Sequence, residues 1–204
     1  TSGDADISIG ATDNATVTIS DDDTAQVTIA ATDAVAGEPA EPGQFTVTRS
    51  ETSDTDTVVS YTITGDATAD NDYTGISDTL SFDGTAGESR TIQVLVDRDA
   101  RVENDEIFQV ALGQLSGLDS ALASQISIDT AAVIATILND DAATIAFTVG
   151  SSNVLEADGQ HTVAVQLDVT GGGSLSEAVS IDVAVNGGTA TSADFTLNTT
   201  SVTF

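Results

Sequence analysis

The 204-residue sequence has no cysteine, methionine, tryptophan or lysine, a single histidine, two prolines and only 4% aromatic residues. Without cysteine there is no disulfide, and one histidine cannot supply the Cys/His set that zinc or copper requires. Basic residues are nearly absent too: four arginines stand against 33 Asp and Glu, for a net charge of −29. Such a surface repels phosphate, which excludes nucleic-acid binding and docking on anionic lipid. No apolar run approaches the roughly 18 residues of a spanning helix. Signal, transit and lipidation motifs are not visible, and the first residue is Thr rather than Met. The sequence therefore reads as a piece of a longer chain. Any metal it holds is expected to be a hard cation on oxygen ligands.

What is present favours strands. Thr, Ser, Asp, Gly and Ala dominate, and apolar residues alternate with polar ones in short runs. Val163, Val165, Leu167 and Val169 form one run, and Val179, Ile181, Val183 and Val185 another. Ile92, Val94 and Val96 form a third, and Phe108, Val110 and Leu112 a fourth. Each reads as a strand with one core face. Turn-formers separate them at Gly65-Asp66, Asp83-Gly84 and Gly171-Gly172-Gly173, the last read as a hairpin turn. Only Gly117 to Gln125 looks mildly helical. The fold class is all-β, with antiparallel sandwiches expected because no βα alternation is present.

The chain also repeats itself. Val17-Thr18-Ile19-Ser20-Asp21-Asp22-Asp23 recurs as Ala135-Thr136-Ile137-Leu138-Asn139-Asp140-Asp141, an offset of 118 residues that also carries Glu38 onto Glu156. Asp72 matches Asp194, and Phe82 matches Phe204, at an offset of 122. The organisation predicted is the tail of one repeat (1–23), a complete repeat (24–141) and the first half of a third (142–204). A unit of this length suits one sandwich domain.

Four motifs in order carry a resemblance. Glu38 precedes Pro42-Gly43-Gln44-Phe45-Thr46-Val47-Thr48-Arg49; Gly65-Asp66-Ala67-Thr68-Ala69-Asp70-Asn71-Asp72-Tyr73 follows; then Asp97 through Phe108; then Asn139-Asp140-Asp141. This pattern resembles the Calx-beta domain. The resemblance implies a seven-stranded, immunoglobulin-like antiparallel sandwich that in many members binds calcium at loops clustered on one end. Members occur in sodium–calcium exchangers and in tandem arrays of large secreted or surface-attached bacterial proteins. By resemblance, Glu38, Asp72, Asp97, Asp99, Glu103, Glu106, Asp140 and Asp141 are the calcium ligands. Arg98 falls where many members carry a second Asp, so it is expected to pair with a carboxylate of the cluster. Asn139 stands in place of the first of three terminal Asp residues. One or two ions are expected in the complete repeat.

The residues support that reading independently. Carboxylates sit in four sequence-distant loops, and two of them about 5 Å apart repel by roughly 3 kcal/mol at an effective dielectric near 20. Gathered at one end of a sandwich, they require protons or a cation, and calcium accepts irregular cages of oxygen better than magnesium. The segment from Asp97 is no EF-hand, since Arg101, Val102 and Phe108 occupy its fifth, sixth and twelfth positions. Gly171-Gly172-Gly173 lacks the Lys of a phosphate loop. His161, placed at the position of Phe45, has no catalytic partners. The sequons at Asn14 and Asn198 are of the kind that arise by chance in a Thr-rich chain.

The function expected is a calcium-binding structural repeat of a large extracellular bacterial surface or adhesion protein, with calcium stiffening and stabilising the array. Its partners would be neighbouring repeats and a cell-surface or matrix ligand. The alternative is a passive acidic spacer adapted to high salt, without defined ion sites. An enzyme is not expected.

Overall fold

The computed structural model describes residues 6, 10, 12, 14–38, 41–52, 56–118, 120 and 122–204. The first ten strands are β1 (Ala25–Asp33), β2 (Val35–Gly37), β3 (Gly43–Arg49), β4 (Thr57–Gly65), β5 (Thr79–Phe82), β6 (Ser89–Val94), β7 (Arg101–Val102), β8 (Glu106–Ser116), β9 (Ile126–Ile128) and β10 (Val133–Leu138). They build two packed sheets, ordered β6-β3-β1-β9 and β2-β10-β8-β4-β5. The strict alternation of β3 shows why. Gly43, Phe45, Val47 and Arg49 are buried while the residues between them are half-exposed. Inward side chains of both sheets, among them Val27, Phe45, Val94, Val59, Phe108 and Val110, have no exposed surface. Phe45 meets Phe108 edge-to-face across the core, with ring centroids 5.7 Å apart.

The architecture is the expected all-β, immunoglobulin-like sandwich, and its antiparallel ladders carry two parallel edge pairings in addition. β9 pairs parallel with β1, and β2 parallel with β10. The second arises because the first strand changes sheets. A register shift between Ala31 and Asp33 turns the chain, and the Asp33 carboxylate accepts the Val35 N–H at 3.2 Å. The chain then runs beside β10 instead of β3. Between Gly117 and Gln125 the helical expectation is not met. The described residues there form turns, closed by the Gln125 N–H on the Leu122 carbonyl at 2.9 Å. Gly117 has a φ of +81°, and so short a segment gains too few hydrogen bonds to offset helix nucleation.

After Asp141 come β11 (Ala143–Phe147), β12 (Val165–Val169), β13 (Ser174–Leu175), β14 (Ser180–Asp182) and β15 (Ser201–Thr203). β11 pairs with β12 and β14 with β15, both antiparallel. Ile145 pairs with Leu167 as Val27 pairs with Arg49, so Val163 takes the place of Phe45. His161 is thus two residues away from its expected position. It is exposed outside any strand, its ring 2.9 Å from the Ser152 hydroxyl. Gly171-Gly172-Gly173 forms no hairpin between neighbouring strands. Thr170–Gly172 is a single 3-10 turn, and the chain beyond it pairs with β7.

Candidate metal centre

The ends of several strands meet at one pole of the sandwich, and pairing register decides which carboxylates meet. Leu138 pairs with Gly37 in the parallel β10/β2 ladder, so Glu38 and the segment Asn139–Asp141 leave the sheet side by side. On the other flank, Gly65 ends β4 opposite Phe108. A Cβ at Gly65 would lie 2.1 Å from the Ile107 carbonyl oxygen. That oxygen accepts the N–H groups of both Asp66 and Ala67, at 3.0 and 3.1 Å. The loop holding Asp72 is thereby hooked onto the start of β8, where Glu106 stands.

Two triads of carboxylates result, Glu38 with Asp99 and Asp141, and Asp72 with Glu103 and Glu106. Within each, one oxygen from every residue lies within 4.8 Å of the others. Asp72 is 7% exposed. One of its oxygens accepts the Thr68 N–H at 2.6 Å and the Thr68 hydroxyl at 2.9 Å, which aims the carboxylate at its neighbours. Burial, and then the charge of Asp72, push the Glu106 carboxyl up to about 7, where it shares a hydrogen bond with Asp72. Glu38 is likewise raised to about 7, by burial first and by the nearby Asp99 charge second. Glu103 is raised by burial and Asp72, with Arg101 acting in the opposite direction. Glu38 Oε2, Glu106 Oε2 and Asp141 Oδ2 are buried and accept no hydrogen bond. Buried acceptors without a donor are costly and uncommon.

Six of the eight expected ligands therefore come together in two groups. Asp97 and Asp140 join neither. The Asp97 carboxylate accepts the Thr74 hydroxyl at 2.7 Å, and its N–H donates to the Asp72 carbonyl at 3.0 Å. Asp140 is exposed beside Glu38 and acts on it through its charge. Arg98 does not enter the cluster as expected. It is exposed, and the cation at the site is Arg101, whose Nε lies 3.5 Å from Glu103 Oε2. Asn139 has a role that the sequence does not reveal. Its Nδ2 donates to the Asp141 carbonyl at 3.0 Å, and its own N–H donates to the Asp105 carboxylate at 3.1 Å. An Asp could not donate the first of these bonds. In the later segment, Asp194 accepts the N–H and hydroxyl of Thr191 at 2.7 and 2.9 Å, reproducing the local lock of Asp72, while Glu156 is exposed. The signal for such locks is a Thr three or four residues before the Asp.

The Calx-beta domain model matches residues 20–141 and again 138–204. The chain belongs to the Calx-beta domain family. Calx-beta is a binding and structural domain, and the two matches stand in tandem. Solved structures with a similar fold include the apo form of the Calx CBD1 domain, at 20% identity and a TM-score of 0.44, covering 56% of this chain and 97% of that one. The calcium-binding domain CBD12 of CALX1.1 is 22% identical at a TM-score of 0.43, covering 56% of this chain and 44% of that one. The periplasmic chaperone SfaE follows at 12% identity and a TM-score of 0.38, covering 56% and 57%. No curated protein matches the sequence. Among the described residues, no helix is long and apolar enough to cross a membrane.

Proposed function

We propose that this Calx-beta chain is a calcium-binding structural repeat of a large extracellular bacterial surface or adhesion protein, in which calcium stabilises and stiffens the array. The observation that carries the reading is the set of three buried carboxylate oxygens without a donor, Glu38 Oε2, Glu106 Oε2 and Asp141 Oδ2, each within a triad. A divalent cation would satisfy them and cancel the repulsion that raises Glu38 and Glu106. Each triad would centre one ion, completed by backbone carbonyls and water to the 6–8 oxygens that calcium prefers. Calcium accepts irregular cages of oxygen, whereas magnesium demands near-ideal octahedra.

The ligands belong to loops that are far apart in sequence, so an ion would tie them together only in the folded state. It would then stabilise folding by mass action. Stiffening follows from the short junction: Asp141 is a proposed ligand, and β11 starts two residues later at Ala143. Ordering Asp141 leaves almost no free chain between units 24–141 and 142–204. Extracellular modules of weak affinity are filled by millimolar calcium outside the cell, which is where such an array would work, beside its neighbouring repeats and against a cell-surface or matrix ligand.

Thermal unfolding of the 204-residue chain tests the reading. Calcium at about 100 times its Kd should add about 2.7 kcal/mol for each of the two ions, about 5 kcal/mol together, and raise the midpoint on the order of 10–20 °C. Magnesium, and sodium chloride of matched ionic strength, should do far less. An equal response to every salt would leave a passive acidic spacer instead.

A further inference from the structure

The loop that follows β12 is longer than its counterpart and reaches out of its own unit. Leu167 is equivalent to Arg49 by the pairing of β11 with β12. Val179 is hydrogen-bonded to Phe204 as Thr57 is paired with Phe82. The offset is thus 118 residues before this loop and 122 after it, so four extra residues lie between β12 and β14. This segment contains Gly171-Gly172-Gly173 and β13. β13 pairs in parallel with β7, Ser174 opposite Arg101 and Leu175 opposite Val102. The Ser174 N–H donates to the Ala100 carbonyl at 3.1 Å, and the Ser176 N–H to the Val102 carbonyl at 3.0 Å. The approach is close: a Cβ on Gly173 would lie 1.4 Å from the Ala100 carbonyl oxygen. Gly171 turns the chain at a φ of +81°.

We propose that residues 171–176 are a docking strand by which one Calx-beta repeat attaches to the exposed backbone of residues 100–102 in the preceding repeat, with Gly173 as the residue that permits it. The recognition is strand addition, in which main-chain hydrogen bonds supply the attachment and side chains matter little. It also covers an otherwise open strand edge, a surface prone to indiscriminate pairing. Gly173 therefore determines which repeat can follow. The corresponding stretch of the complete repeat, Ser50 to Asp56, contains no glycine, so this attachment belongs to the junction after Asp141 and not to every junction. The docked backbone lies between Asp99 and Glu103, bracing the carboxylate loop from outside. The two hydrogen bonds involve no carboxylate, so docking holds with or without a bound ion.

The absence of cysteine makes the test direct, because Gln93→Cys and Gln166→Cys, both exposed and on opposite sides of the junction, take spin labels without competition. Electron–electron distance measurements on the full chain should give one narrow distribution in chelator, centred at the same distance and narrowed further in calcium. Gly173→Val should abolish the narrow peak. Ser174→Pro, which removes the donor to Ala100 without adding a Cβ at 173, should do the same and covers the case in which the valine variant misfolds. A broad distribution in the parent chain, or narrow peaks retained in these variants, would overturn the docking strand. Failure to bind calcium would contradict the calcium reading and leave these distances unchanged.

Discussion

Between pH 8 and pH 5, the ion-free chain should gain thermal stability while the benefit of added calcium shrinks. Glu38 and Glu106 both stand at about 7 in the fold, against 4.5 for an ordinary Glu carboxyl, because burial and neighbouring carboxylates disfavour their charged forms. The folded chain therefore holds protons at these two sites that the unfolded chain has already lost. Their contribution to stability is complete below about 4.5 and disappears as the pH rises through about 7. Calcium must displace the same protons, so its apparent affinity should rise by up to about tenfold per pH unit for each proton released. Unfolding midpoints measured across this range, in chelator and in calcium, show both trends. The double variant Glu38→Gln, Glu106→Gln should lose the ion-free slope, which separates these two groups from the general repulsion of a chain carrying −29. An ion-free midpoint that is flat, or that rises from pH 5 to pH 8, would contradict the geometry of both triads.

Asp72→Asn should halve the dependence of stability on calcium, because Asp72 belongs to one of the two triads. The remaining amide oxygen can still accept the Thr68 N–H and hydroxyl, keeping the loop in place, and the new amide can donate to Glu106 where two carboxyls now face each other. Removing one buried like charge should bring Glu106 down toward the ordinary range and raise the ion-free midpoint. The same change should abolish binding at the Asp72–Glu103–Glu106 triad and remove about half of the calcium-induced shift. Asp72→Ala differs: without an acceptor, the Thr68 N–H and hydroxyl lose their partner, so the ion-free midpoint should fall by the equivalent of about 1–3 kcal/mol. Calorimetric melting of both variants, with and without calcium, distinguishes charge from scaffold. If Asp72→Asn bound calcium as the parent does, Asp72 would be a structural cap only.

Sheet faces were legible in the sequence because alternation has a period of two and needs no knowledge of the partner strand. Ile92, Val94, Phe108, Val110 and Leu112 face the core as their spacing predicts. Partners were not legible to the same degree. The sheet change at Ala34 depends on a bulge, and the parallel edge it creates is what brings Glu38 beside Asp141. The repeat offset matches Asp194 to Asp72, and each carboxylate accepts a nearby Thr hydroxyl, although the two threonines, Thr68 and Thr191, are not equivalent by that offset. Charge alone does not tell which groups meet. Arg98 and Arg101 are indistinguishable by composition, yet only the second reaches a carboxylate. Asp97 is spent on Thr74, a contact between loops that no spacing rule conveys. The glycine triplet reads as a turn in any one-dimensional scan, and its purpose emerges only from the neighbouring repeat's backbone.

The most direct test of the account is a calorimetric titration of the full chain with calcium at pH 7.5 in physiological sodium chloride, counting the ions bound. One ion per triad predicts saturable binding of two calcium ions per chain, falling to one in Asp72→Asn. Heats no larger than those of dilution, or binding that sodium chloride alone eliminates, would contradict it.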